Sequence, residues 1–137
     1  PQTTRTAMNN KVKSAVEKKQ TGKYNCAQAV ACSFCEYAQI GEQDIRHAAL
    51  GLGAGMGSME GTCGALTGAG LIIGLVCKED KPRAMGMSRT LMNKFLERNG
   101  TTQCKQLKGV GTGKAIRSCD DCVADAAEFL DEILKTQ

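Results

Sequence analysis

Four cysteines of this chain stand just behind residues that cap helices well. Cys26 follows Asn25, Cys63 follows Thr62, Cys119 follows Ser118, and Cys104 comes two residues after Thr102. A cysteine in the first turn of a helix lies among unpaired backbone N–H groups and at the positive end of the helix dipole, and both favour thiolate over thiol. Such placement lowers a cysteine pKa from about 8.5 into the range of roughly 3.5–7.5. The thiolate is the nucleophile of disulfide exchange and the form that ligates soft metals. N–H groups aimed at its sulfur also tune the potential of a thiolate-bound cluster. Cys26, Cys63, Cys104 and Cys119 are therefore the candidate redox thiols or metal ligands. Cys32, Cys35, Cys77 and Cys122 fall mid-helix, near a helix end or one turn in, where cysteine usually acts as a small buried apolar residue.

The gaps from Cys26 to Cys63 (37), on to Cys104 (41) and on to Cys119 (15) match no sequence-local metal motif. Neither C-x2-C-x2-C-x3-C nor C-x4-C-x2-C is present. Two C-x-x-C pairs occur, Cys32/Cys35 and Cys119/Cys122. Glu36 and Val123 follow them where covalent haem attachment needs His. They are too far apart, and too helical in context, for a zinc ribbon. A C-x-x-C pair at a helix start, as at Cys119/Cys122, suits a dithiol redox centre, although the βαβ surroundings of a thioredoxin are missing. The single histidine, His47, excludes any unit that needs two imidazoles.

The elements that must position these thiols read as helices. Alternating β-branched runs are nearly absent, whereas helix starts recur. Val12, Ala15 and Val16 mark one stripe of a helix over 8–19, after a loose N-terminal arm at 1–9. Asn25 with Gln28 forms a capping-box pattern that opens a helix over 26–37. Shorter or longer helices are expected over 43–51, over 63–76 behind Thr62, and from Pro82 to the Asn99-Gly100 stop. Residues 103–107 make a turn or two, 108–114 a loop, and Ser118 caps a last helix over 119–134. The fold class is all-α: a compact bundle of about five to six helices with a Gly-rich central loop, in one domain spanning 1–137.

Nine glycines fall between Gly51 and Gly74. No G-x-G-x-x-G occurs and no strand precedes them, so a dinucleotide-binding fingerprint is excluded. Gly113-Lys114 lacks the rest of a phosphate-binding loop. Within the helix expected over 63–76, each glycine costs about 1 kcal/mol relative to alanine at an exposed site. Close helix–helix packing, within the domain or across a homodimer, is the expected compensation at Gly68, Gly70 and Gly74. Gly64, beside Cys63, is where backbone could approach a bound group.

Composition narrows the function further. Eight cysteines in 137 residues stay below the roughly 8–10% of a disulfide scaffold, and no secretory signal is visible. Reduced thiols or metal ligands in the cytoplasm are the expectation. With three Phe, two Tyr and no Trp, few platforms exist for stacking nucleic-acid bases. The longest uncharged run, 61–77, is too short to span a membrane. The net charge is +4, and residues 1–23 hold six cations against Glu17. That segment reads as a solvated helix face rather than as a binding arm.

Asn25-Cys26-Ala27-Gln28-Ala29-Val30 and Gly61-Thr62-Cys63-Gly64-Ala65-Leu66-Thr67-Gly68 resemble the redox-active bacterial proteins of the C-GCAxxG-C-C family. Thr102-Gln103-Cys104-Lys105-Gln106-Leu107 and the stretch from Cys119 to Glu128 fit the same pattern, so the resemblance covers roughly residues 10–135. It implies four functional cysteines, Cys26, Cys63, Cys104 and Cys119, with Cys122 competing for the last place. This chain reads Cys-Gly-Ala where the family name writes Gly-Cys-Ala. The resemblance implies redox activity and, through related domains, an iron–sulfur cluster on the four thiolates, with Gly64 against it. Three functions remain open: an iron–sulfur electron-transfer protein, a thiol–disulfide oxidoreductase using a cysteine pair, and a structural zinc domain with four cysteine ligands. The redox partner, presumed to be a protein, is not indicated.

Overall fold

Eight α-helices supply the regular structure in this computed structural model, which describes residues 2–136, with side chains from residue 10 onward. They are α1 (Gln2–Gln20), α2 (Cys26–Ser33), α3 (Cys35–Ala38), α4 (Glu42–Ala49), α5 (Gly64–Cys77), α6 (Lys81–Asn99), α7 (Cys104–Lys108) and α8 (Cys119–Lys135). No strand occurs among the described residues, and only an isolated antiparallel bridge joins Thr62 to Gln103.

The all-α expectation holds, with more helices than the five to six expected. One reason is Phe34, whose backbone (φ −120°, ψ 15°) leaves the helical region and splits the expected 26–37 helix into α2 and α3. Another is that residues 103–107, expected as a turn or two, form α7. Helix α1 also runs through the segment expected as a loose arm, beginning at Gln2. The Gly-rich connection is partly wound, with a 3-10 turn at Leu50–Leu52 and a wider turn at Gly55–Met59.

Several helix ends follow from local chemistry. The Asn25 side chain accepts from Gln28 N–H at 2.8 Å while Gln28 Oε1 accepts from Asn25 N–H at 2.9 Å, so the capping box is complete. Ser118 Oγ accepts from Asp121 N–H at 3.1 Å. Gly100 takes the left-handed conformation (φ 79°) that ends α6. Thr62 does not cap α5: Cys63 itself is the N-cap residue, and the helix begins at Gly64.

Helix α2 is buried at every position and forms the centre. It packs chiefly on α5, and α1, α4 and α8 close around it, with α1 lying along α8. Phe34, Phe95, Ile72, Ile73, Leu91 and Leu130 are among the fully buried side chains of the core. At Gly68 a Cβ would sit 2.3 Å from Ala27 O, so α2 and α5 approach through backbone there. Gly70 and Gly74 have nothing within 4 Å of a built Cβ, which corrects the expectation of close packing at those two positions within the chain. The basic stripe of α1 is largely engaged within the domain. Lys11 pairs with Glu36 and lies over the Phe34 and Tyr37 rings, and Lys18 pairs with Glu42. No helix among the described residues is long and apolar enough to cross a membrane.

Candidate functional site: a five-thiol pocket

Cys26, Cys63, Cys104, Cys119 and Cys122 line one small pocket, together with Lys108 and Arg117. All four cysteines singled out from their helix starts are brought together. The competitor for the fourth place, Cys122, joins them one turn further along α8. Cys32, Cys35 and Cys77 do not line the pocket. All eight thiols are free.

Local backbone chemistry explains the convergence. Cys63 N–H donates to Thr102 O at 2.7 Å and Cys104 N–H donates to Gly61 O at 3.0 Å, so the starts of α5 and α7 are cross-linked at their cysteines. The capping box aims the first turn of α2, with Cys26, at the same place. Ser118 does the same for α8, where the i, i+3 spacing of Cys119 and Cys122 puts both on one face.

Glycine lets the backbone around the pocket pack closely. A Cβ on Gly64 would meet Gly53 Cα at 3.0 Å and Cys26 Cβ at 3.3 Å; one on Gly55 would meet Cys104 Cβ at 2.9 Å. Ala54, which lines the pocket, holds the left-handed φ of 51°, and Met56 and Met59 are left-handed as well, at 62° and 65°. Non-glycine residues rarely adopt this conformation, and such strain concentrates at functional sites.

The sulfurs form two unequal pairs. The Cys26 thiol donates a hydrogen bond to Cys119, which lowers the Cys119 pKa to about 5; burial opposes this, and a hydrogen bond from Lys108 adds to it. The same contact and burial push Cys26 upward. In the second pair Cys122 donates to Cys63. That hydrogen bond lowers the Cys63 pKa against the effect of burial, helped by the Ala65 and Leu66 N–H groups at the start of α5. Cys122 is raised in consequence. Cys104 stays protonated because burial raises it. Cys63 and Cys119 are therefore the two pocket thiols held below the ordinary thiol pKa. At Cys26 and Cys104 the helix-start expectation is reversed, because a neighbouring thiolate or an apolar wall outweighs the N–H groups. Burial would lower the Lys108 pKa, but its hydrogen bond to Cys119 and the nearby sulfurs raise it, so this cation faces the thiolates.

Four of the five thiols are buried, and Cys119 is only partly exposed. The free volume between them is about 10 Å³, roughly the room that one water needs. Among the described residues no group of three or more His, Cys, Asp or Glu is arranged to hold a metal ion. The donor chemistry suits a thiolate-bound iron–sulfur group all the same: five soft sulfurs, two of them with lowered pKa, a glycine cradle and facing cations. The sulfurs are packed against one another instead of around an enclosed space.

Sequence reasoning missed Lys108 and Arg117. Arg117 reaches the pocket from the loop before α8, held by a bidentate pair with buried Asp125 at 3.0 Å. Asp125 also accepts from Arg98 at 2.9 Å and Asn99 at 3.2 Å. A carboxylate inside the apolar stripe of α8, which Asp125 shares with Asp131, was the available signal, since such a group must find partners.

Fold and pocket together define a helical domain built around a buried cluster of thiols. The family model described as "Putative redox-active protein (C_GCAxxG_C_C)" matches residues 24–133, and the chain belongs to that family. No curated protein and no solved structure matches it.

Proposed function

We propose that this protein is an electron-transfer module that holds an iron–sulfur cluster through Cys26, Cys63, Cys104 and Cys119, with Cys122 the alternative to Cys119. The observation that carries this reading is the convergence of five mostly buried thiols from four separate segments on one pocket. A dithiol couple needs two sulfurs and access for an incoming disulfide. A cluster needs four thiolates, N–H donors and exclusion of water.

When bound, such a group accepts and releases one electron at a time. The chain's part is to hold and insulate it. The Ala65 and Leu66 N–H groups stabilise negative charge on Cys63, and Lys108 does so on Cys119. Buried Leu107 lines the pocket, and Gly53, Gly55 and Gly64 let the backbone close around Asn25, Cys104 and Cys26.

The test is iron, acid-labile sulfide and zinc on anaerobically purified protein, with its visible spectrum. Iron and sulfide in near-equal amounts are expected. Zinc alone would assign a structural site.

The thiol–thiolate pairing favours a second reading, dithiol exchange. In that reaction the Cys119 thiolate attacks a partner disulfide and releases one partner sulfur, which takes a proton from solvent. Cys26 then loses its proton and attacks Cys119, and the second partner sulfur leaves and is protonated. The partner is reduced to a dithiol, and a Cys26–Cys119 disulfide forms. Metal-free protein whose thiols pair in this way on mild oxidation would select it.

A further inference from the structure

Of the six large apolar side chains exposed among the described residues, four lie on the two segments that border the thiol pocket: Leu50, Met56, Val110 and Ile116. Leu50 O accepts from Asn25 Nδ2 at 2.9 Å, directly before Cys26. Met56 follows Gly55, which packs on Cys104. Ile116 and Arg117 donate their N–H groups to the O atom of pocket-lining Leu107 at 2.9 and 3.1 Å, which fixes the second segment over the site.

The same region is basic. Residues 101–118 include Lys105, Lys108, Lys114 and Arg117 and no Asp or Glu. Lys19 on α1 stands within electrostatic range of Cys26 and Cys119. Glu60 pairs with Lys105 at 3.3 Å and Asp125 with Arg117 at 3.0 Å, Asp120 accepts from Gln20 at 3.3 Å and Asp121 is exposed in the first turn of α8, so Lys108 and Lys114 carry the excess charge of this region.

We propose that the face formed by residues 50–60 and 105–117 docks an acidic electron-transfer protein, bringing it over the thiol pocket. Naming the partner's task rests on the redox function above; the face itself rests on exposure and charge. Exposed apolar side chains beside cations fit a partner that carries an apolar patch beside acidic residues, and charge complementarity of that kind speeds encounter and sets orientation. A second copy of the chain would bring like charge to the face. Nucleic acid would satisfy the charge but leave the apolar side chains unused, and neither segment holds a Phe, Tyr or Trp to stack on bases.

The experiment is an NMR titration of the full ¹⁵N-labelled chain with two acidic redox proteins, a [2Fe–2S] ferredoxin and a flavodoxin. Shifts confined to 50–60 and 105–117 are expected with at least one of them. Binding should weaken about tenfold in the Lys105→Glu/Lys114→Glu double variant and severalfold in Ile116→Ser, and remain unchanged in Lys81→Glu on α6. No shifts with either protein, or shifts elsewhere, overturn the proposal. So do concentration-dependent shifts on this face without a partner, or tighter binding there of duplex DNA. Iron, sulfide and thiol titration of the same samples report separately on the redox centre. Binding beside a silent centre would remove the electron-transfer role and keep the face; a working centre without binding would remove the face alone.

Discussion

Arg117 grips Asp125 with two nitrogens, Nε and Nη2, each at 3.0 Å, and the same residue lines the thiol pocket. The carboxylate is 3% exposed and also serves Arg98 and Asn99, so a single buried acid ties α6, the loop before α8 and α8 together. Removing its charge takes the bidentate partner from Arg117, while Arg98 keeps Glu128 at 2.9 Å. Asp125→Asn should cost about 2 kcal/mol, below the full value of a buried pair because both arginines are partly exposed. A urea midpoint that barely moves would show that the clamp is dispensable.

Cysteine identity should matter by position. Cys63→Ser removes a pocket sulfur whose pKa is lowered and is expected to abolish cofactor content or redox cycling. Cys77→Ser is expected to leave both intact, since Cys77 is buried elsewhere against Met87, with its Sγ 3.4 Å from Sδ. Equal damage from the two substitutions in metal analysis and redox titration would put the wrong thiols at the centre.

In the reduced, metal-free protein Cys119 should react as a thiolate far below the ordinary thiol range. Its lowered pKa means that the reactive form accumulates as pH rises through about 5, not through 9. Peptide-resolved alkylation with iodoacetamide across pH 4–10, the range that brackets both values, would follow it. Lys108→Met takes away a cation and should move the midpoint upward. A wild-type midpoint near 9 would contradict the pairing with Cys26.

Two glycines of α5 should respond in opposite directions. Gly68→Ala forces a methyl against Ala27 backbone, at 2.3 Å from its O, and should destabilise by about 2 kcal/mol. Gly74→Ala meets nothing and should stabilise by about 0.5–1 kcal/mol through backbone entropy. Thermal unfolding of the two variants side by side gives the comparison.

What could be read from the sequence was mostly local. The Asn25/Gln28 box, the Ser118 cap and the Gly100 stop are complete within a few residues, and each stands where its pattern put it. Four of the pocket cysteines were legible for the same reason, since each starts a helix or immediately precedes one. The break at Phe34, the left-handed run from Ala54 and the openness around Gly70 depend on what packs alongside, which no short window contains. The unequal thiols needed more still. Cys26 and Cys119 sit in similar helix starts, yet their proton affinities diverge because each is the other's neighbour in space.

The cross-link between Cys63 and Thr102 and the docking of α1 along α8 have a consequence for biosynthesis. Cys26 leaves the ribosome well before Cys119 and Cys122, the two pocket thiols carried by α8. No chain that ends before Cys122 contains the whole pocket, and a product truncated before α8 would have neither Cys119 nor Cys122. The five thiols can therefore be loaded or oxidised as a set only after α8 has been made and has docked on α1.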